Sequence, residues 1–294
     1  FGVPCQSQVE MLSHPEVDVV VVCTPSGQHT RQAIMAARAG KHVLVDKPMA
    51  TTLTDADAMI EACEQAGVTL GVVYQRRNEP QFARASQAIQ AGDFGELTLG
   101  VVTIPYQRPQ EYYNLADWRG TWSLDGGGVL INQGIHLVDI LVWLMGHPVE
   151  IRSYAATLHR DIEVEDTLVA VLRFKNGALA TITATTTAAP GFSHRVEIYG
   201  TGGGFQVDGN TVVRWDLVRP DAAQVTPPII GGQAVAGAGS DPKGEGSALF
   251  NPVYQDFIEA VRQNRSPAID GTEGRRSLET VLRIYDAAGI RPLR

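Results

Sequence analysis

The hydrophobic positions of this chain change their period near residue 77. Before that point, residues 17–23 (VDVVVVC), 41–45 and 68–74 are short, nearly continuous apolar runs. Such runs mark parallel strands covered on both faces. Between them lie two helical stretches, one from Gln28 to a stop at Gly40 and one from Thr54 to a stop at Gly67. Thr54 is placed to cap the second, with Asp57 at the capping-box position. A short helix ending near His14-Pro15 precedes them all. The order β-α-β-α-β predicts a parallel sheet with right-handed crossovers, and ligands of such sheets bind beyond the carboxyl ends of the strands. Here those ends are Thr24-Pro25, Asp46-Lys47-Pro48 and Tyr74-Gln75-Arg76.

After residue 77 the pattern is different. Residues 80–91 form an amphipathic helix, 96–106 a strand, and 107–124 a polar, aromatic-rich loop. From residue 149 onward, alternating segments separated by turns such as Asn176-Gly177 and Asp208-Gly209 predict a large, mostly antiparallel sheet. The Thr/Ala-rich strand at 178–188 is expected to face a partner subunit, giving a homo-oligomer, dimer or tetramer. Residues 221–248 read as a loose Gly/Ala/Pro excursion, and 250–263 and 272–288 as closing helices. The expected division is residues 1–77 and residues 78–294.

One stretch does not fit a plain core. Residues 126–146, GGGVLINQGIHLVDILVWLMG, read as a buried helix with glycine at both ends. Asn132, His136 and Asp139 follow one another at helical spacing, which predicts a polar stripe on one apolar face. Buried polar groups cost free energy unless paired, so the stripe points to a cavity or ligand. A single histidine on such a helix is more often a satisfied core residue.

Composition narrows the function. A net charge of −8 argues against nucleic acid or an anionic membrane surface as partner. Three scattered cysteines, Cys5, Cys23 and Cys63, have no metal-ligand spacing and suit a reducing cytoplasm; Cys23 reads as core. No apolar run reaches membrane-spanning length without polar interruption. No metal site is expected.

Lys47 is the most informative single residue. At the end of a buried strand, beside Asp46 and before Pro48, its ammonium is placed for acid or base work, and its bland alternative is a surface pair with Asp46. Arg76, Arg77, Arg108, Arg119 and Arg195 are candidates for binding phosphate or carboxylate, against the alternative of solvated surface charge. GTGGGF at 200–205 imitates a dinucleotide fingerprint, but a strand follows it where a helix is required, so it is a turn.

Six ordered blocks, TPSGQH at 24–29, AGKHVLVDKPMA at 39–50, YQRR at 74–77, WRGTW at 118–122, GGGVLINQGIHLVD at 126–139 and VEIYGTGGGF at 196–205, resemble the Gfo/Idh/MocA oxidoreductase family. The resemblance implies an α/β fold, with an N-terminal Rossmann domain for NAD, NADP remaining open, and a C-terminal α/β domain built on a large antiparallel sheet. It implies that Lys47 and His136 act on a substrate hydroxyl, with Asn132 beside them. It also implies that Thr24, Pro25, His29, Asp46, Lys47 and Arg119 lie near the cofactor and that Arg76, Gln133 and Asp139 lie at the substrate. Asp46 stands where glutamate is usual. Asn132 stands where many sugar and inositol dehydrogenases have an acid, so the Lys/Asp/His relay lacks its middle member. The phrasing around WRGTW and NQGIH resembles the branch that oxidises UDP-N-acetyl-glucosaminuronate at C3. The resemblance further implies roughly 50 to 60 residues ahead of Phe1, holding the first strands and the Gly-rich fingerprint, which are absent from this chain.

The leading expectation is therefore a nicotinamide-dependent dehydrogenase of a sugar or nucleotide-sugar hydroxyl. The alternatives are a non-catalytic ligand-binding or scaffold protein of the same fold, and a reductase of another small carbonyl or cyclic substrate.

Overall fold

Two sheets share one core. The computed structural model describes residues 6–218 and 247–291. After α1 (Gln8–Ser13), the strands β1 (Val19–Val22), β2 (His42–Asp46) and β3 (Leu70–Val73) form a parallel sheet in that order. The crossovers are α2 (His29–Arg38) and α3 (Leu53–Ala66). β3 is buried throughout and β2 at its centre, whereas Val21 of β1 and the following Cys23 are exposed. A run of four valines fits a strand with one covered face or two, so the sequence pattern could not separate the cases. The α3 cap also lies earlier than expected. The Thr52 hydroxyl accepts the Asp55 N–H at 3.0 Å and donates to the Asp55 carboxylate at 2.7 Å. Thr-x-x-Asp occurs twice in overlapping register, at 52–55 and at 54–57, and the first copy is used.

α4 (Pro80–Gln90) leads into the second sheet. It comprises β4 (Leu97–Pro105), β5 (Pro148–Ala156), β6 (Thr167–Phe174), β7 (Leu179–Thr185), β8 (Arg195–Gly200), β9 (Gly203–Asp208) and β10 (Thr211–Leu217). Their spatial order is β10-β9-β8-β4-β7-β6-β5, antiparallel except where β4 runs parallel to β7. GTGGGF is the turn between β8 and β9. Along β6, Leu168, Ala170 and Leu172 face the core while Val169 and Val171 are exposed, as period-two alternation requires. Tyr154 of β5, 86% exposed, and Leu179 of β7 lie among the uncovered positions. Most of the excursion expected over 221–248 falls outside the described residues.

The loop at 107–124 contains a single helical turn, α5 (Gln110–Tyr113). The glycine-bracketed stretch then divides: Val129–Gly134 is π-helical, and α6 (Ile135–Met145) is a regular helix. Ile135, Leu137, Val138, Ile140 and Leu141 of α6 are buried; burying each such side chain contributes about 1.5–3 kcal/mol. The wider π turn changes the phase of the helix, so the expected polar stripe is split.

Asp139 and Asn132 bond to different groups. The Asp139 side chain is fully buried, and its two oxygens accept Arg77 Nε at 2.9 Å and Arg77 Nη2 at 2.7 Å, with Ser277 Oγ also at 2.7 Å. Expected at the substrate, it is consumed inside the protein by a bidentate ion pair. Burial works against the Arg77 charge, but Asp139 and Glu273 more than offset it and raise its pKa.

Ser277 and Glu273 belong to α8 (Gly271–Ala287), which follows α7 (Phe250–Gln263). Both helices return to the first sheet. Val253 and Phe257 of α7 pack with Leu44 and Val73, and the Val72 N–H donates to the Ile269 carbonyl at 3.0 Å, beside the start of α8. α8 itself lies against α3 and β3 on one side and α6 and β5 on the other. The two sheets are thus joined by a continuous apolar core from Val20 to Tyr285. No described helix is long and apolar enough to cross a membrane.

Removing one partner of a buried ion pair strands the other, at about 3–5 kcal/mol. Asp139→Ala is expected to lower the unfolding free energy by that amount in urea titrations. A loss under about 1 kcal/mol would show that this pair does not join α6 to the first sheet.

Candidate active site

The carboxyl ends of β1 and β2 are pinned to one another by a histidine. His29, 1% exposed, sets Nε2 2.7 Å from the Thr24 carbonyl and Nδ1 2.9 Å from the Pro48 carbonyl. Thr24 also donates through Oγ1 to Gln32 at 2.9 Å, and the Asp46 carboxylate accepts the Lys47 N–H at 2.9 Å. Asp46 therefore shapes the turn rather than neutralising the ammonium. The Gly27 N–H donates to the Leu124 carbonyl at 2.8 Å, and a Cβ at Gly27 would lie 2.2 Å from the Ser123 oxygen. That contact holds the loop at 107–124 over the strand ends.

Lys47 crosses to the helix. Its Nζ donates to the main-chain carbonyl of Asn132 at 2.8 Å, within the π-helical stretch. Lys47 and Asn132 therefore stand together although 85 positions separate them. His136 follows on the same helical segment, 6% exposed, with the Tyr74 ring edge-on at 6.0 Å between centroids. Tyr74 follows β3, so the histidine packs against the third strand end.

The start of the helix is held by a buried carboxylate. Glu165 accepts the Gly128 N–H at 2.8 Å and the Leu130 N–H at 3.0 Å, and Tyr285 donates to it at 2.7 Å. The Tyr285 oxygen in turn accepts the Ile131 N–H at 3.1 Å. Gly128 is obligatory here, because a Cβ would lie 1.7 Å from the Glu165 carbonyl oxygen. The amides at a helix start have no acceptor within the helix, and here the Glu165 carboxyl and the Tyr285 oxygen supply it.

Asp125 closes the site from the loop side. Its carboxylate, 3% exposed, accepts the Gly120 N–H at 2.9 Å and a short hydrogen bond from Asn132 Nδ2. Burial raises its pKa, while the Gly120 and Asn132 donors and the charges of Lys47 and Arg119 act to lower it.

The arginines take different places. Arg119 lies over the rings of Tyr112 and Trp118, 4.3 and 4.4 Å from their centroids, and donates to the Tyr112 hydroxyl. Arg108 lies over Tyr106 and Tyr112. Both show the cation–aromatic stacking that guanidinium favours. Arg76, expected at the substrate, is buried and bonded to Glu79 at 2.7 Å, with His194 Nε2 at 3.5 Å. Arg195 is exposed on β8. Gln133 Oε1 and Arg119 Nε are buried atoms without a hydrogen-bond partner among the described residues. Unsatisfied buried groups of this kind are what a bound ligand would complete.

Known proteins are similar to this chain in sequence and fold. Residues 1–74 match the family described as "Oxidoreductase family, NAD-binding Rossmann fold", and residues 82–206 match the GFO/IDH/MocA C-terminal domain. The 1,5-anhydro-D-fructose reductase of Ensifer adhaerens is 31% identical, over 98% of this chain and 82% of its own. This chain belongs to the Gfo/Idh/MocA oxidoreductase family. Also similar are the WlbA dehydrogenase of Bordetella pertussis, solved with NADH and UDP-GlcNAcA, and the myo-inositol 2-dehydrogenase of Thermotoga maritima. The first is 36% identical with a TM-score of 0.83, covering 96% of this chain and 80% of that one. The second is 28% identical, covering 92% of this chain and 77% of that one.

The cofactor of this Gfo/Idh/MocA oxidoreductase is NAD, and the residues present fit it. The pinned ends of β1 and β2 put Thr24, Pro25 and Lys47 along one edge, and the unpartnered Gln133 and Arg119 atoms belong to the helix and loop that meet it. Sequence reasoning missed Asp125, Glu165 and Tyr285. Asp125 had a signal, an acid placed directly before the glycine run, and Glu165 had one in the Glu165-Asp166 pair opening β6.

Glu165 yields a pH prediction. Burial lifts its carboxyl from 4.5 to about 7, more than the Leu130, Tyr285 and Gly128 donors can offset. The folded state then holds this proton more tightly than the unfolded chain. Its stabilisation is complete below about pH 4.5 and is lost as pH rises to about 7. At ~1.4 kcal/mol per pH unit, the full swing is roughly 3 kcal/mol. The stability difference between wild type and Glu165→Gln should therefore grow in favour of wild type as pH falls through this window. A difference that is flat with pH would show a carboxylate charged throughout.

Proposed function

We propose that this chain oxidises a ring hydroxyl of an acidic nucleotide sugar, a UDP-sugar uronate oxidised at C3. The observation that carries this reading is the bond from Lys47 Nζ to the Asn132 carbonyl, which joins the cofactor-side strand end to the helix bearing His136. A carbinol carbon oxidised to a ketone must lose a hydride and its oxygen must lose a proton. NAD, when bound, accepts the hydride. Lys47 holds the hydroxyl oxygen and relays its proton: the ammonium gives a proton to water, the amine left behind takes the one from the hydroxyl, and His136 assists. Asn132 orients the pair. Trp118, Arg119 and Tyr112 with Arg108 form a stacked, cationic wall suited to a carboxylate or diphosphate. The likeness to WlbA supports this substrate class, since that dehydrogenase was solved with UDP-GlcNAcA.

The uncovered face of the large sheet, with Tyr154, Val169, Val171 and Leu179, receives a second copy of the chain in this reading.

Lys47→Ala is expected to reduce kcat for NADH formation from UDP-GlcNAcA by about 10²- to 10⁴-fold, the range of a lost acid or base. Calorimetric NADH binding should persist. Unchanged turnover would remove Lys47 from the chemistry, and a wild type that binds NADH but oxidises no nucleotide sugar would sink the substrate assignment.

A further inference from the structure

Position 132 carries an amide where a proton relay would use an acid, yet a carboxylate stands immediately behind it. Asn132 Nδ2 donates to Asp125 Oδ1, while the main-chain carbonyl of the same Asn132 accepts Lys47 Nζ at 2.8 Å. The other Asp125 oxygen is held by the Gly120 N–H at 2.9 Å. The carboxylate is therefore fixed at one end by backbone and directed at the amide by the other.

We propose that Asp125 is a positioning residue for the reaction: it fixes the Asn132 amide so that Oδ1 is presented to the substrate hydroxyl, and it supplies one residue back the negative charge that position 132 lacks. This rests on the dehydrogenase reading above. An asparagine amide has two orientations, and a buried carboxylate on the Nδ2 side permits only one, because Oδ1 turned toward Asp125 would face a second acceptor. The charge also matters. A buried carboxylate is costly unless opposed, and the two cations that lower the Asp125 pKa are Lys47 from the first sheet and Arg119 from the loop. Asp125 thus balances one cation from the first sheet and one from the loop. Gly120 and Asn132 are the groups that hydrogen-bond it, and Tyr113 of α5 also feels its charge. Gly126 and Gly127, both at positive φ, turn the chain between Asp125 and Asn132.

Two measurements test this. In the first, Asp125→Asn is compared with the relocated pair Asp125→Asn/Asn132→Asp, by steady-state kinetics with NAD and UDP-GlcNAcA. Asp125→Asn should lose about 10- to 100-fold in kcat with KM for NAD unchanged, as for the loss of an outer-shell orienting group. The relocated pair should recover most of that loss, because the charge returns to the relay one residue inward. A kcat within twofold of wild type in Asp125→Asn, or a relocated pair as impaired as the single variant, overturns the proposal and leaves Asp125 as a prop for Gly120. The second measurement needs no substrate. In asparagine-labelled protein, the Asn132 side-chain amide proton should lie downfield in wild type and return to the ordinary range in Asp125→Asn. A resonance that does not move overturns the proposal on its own. A wild type inert toward nucleotide sugars instead sinks the substrate reading, and the amide resonance still decides whether Asp125 holds Asn132.

Discussion

The structure is organised by two buried carboxylates gripping one buried segment. Glu165 seizes the start of the π-helical stretch through the Gly128 and Leu130 amides, and Asp139 fastens the following α6 to Arg77. A buried apolar helix can slide or rotate at modest cost, since one leucine packs much like another. A buried, fully hydrogen-bonded carboxyl group cannot, because moving away leaves it and its partners unsatisfied, at about 1–3 kcal/mol for a hydrogen bond and more for an ion pair. The two grips fix both the axial position and the rotation of this segment. Asn132 and His136 lie between them.

The same grips tie the site to the first sheet. Arg77 follows β3, and Ser277 and Glu273 come from α8, so the pair draws together the third strand end, the helix and the C-terminal return. On the side of the first sheet, His29 binds the ends of β1 and β2 through two carbonyls, and Lys47 reaches from there to Asn132. Preorganisation of this kind lets a dehydrogenase act without rebuilding its site around each substrate. The chemistry needs a proton acceptor and a cofactor on one side and an orienting wall on the other. The helix that carries Asn132 and His136 is held in place by Glu165 and Asp139.

Much of this was legible beforehand. The three apolar runs, the glycine stops of α2 and α3 and the period change after residue 77 define the parallel sheet and the alternating strands, because backbone propensity and two-fold or 3.6-fold periodicity are local properties. The dismissal of GTGGGF also follows from local pattern, since an alternating strand comes next. The cap of α3 shows the limit of local reading: two overlapping Thr-x-x-Asp frames are equally good on paper, and the folded chain uses Thr52.

The sequence by itself determined the elements, their order, the strand ends and the presence of a polar-bearing buried helix, all of which depend on neighbours within a few turns. Only the tertiary structure decided which polar group faces which. Asp139 pairs with Arg77 and Asn132 with Asp125, and Glu165 and Tyr285 meet the helix start from 35 and 154 positions away. Buried polar groups take the partner that satisfies them at least cost in desolvation. That partner can come from any point in the chain, so no periodicity announces it.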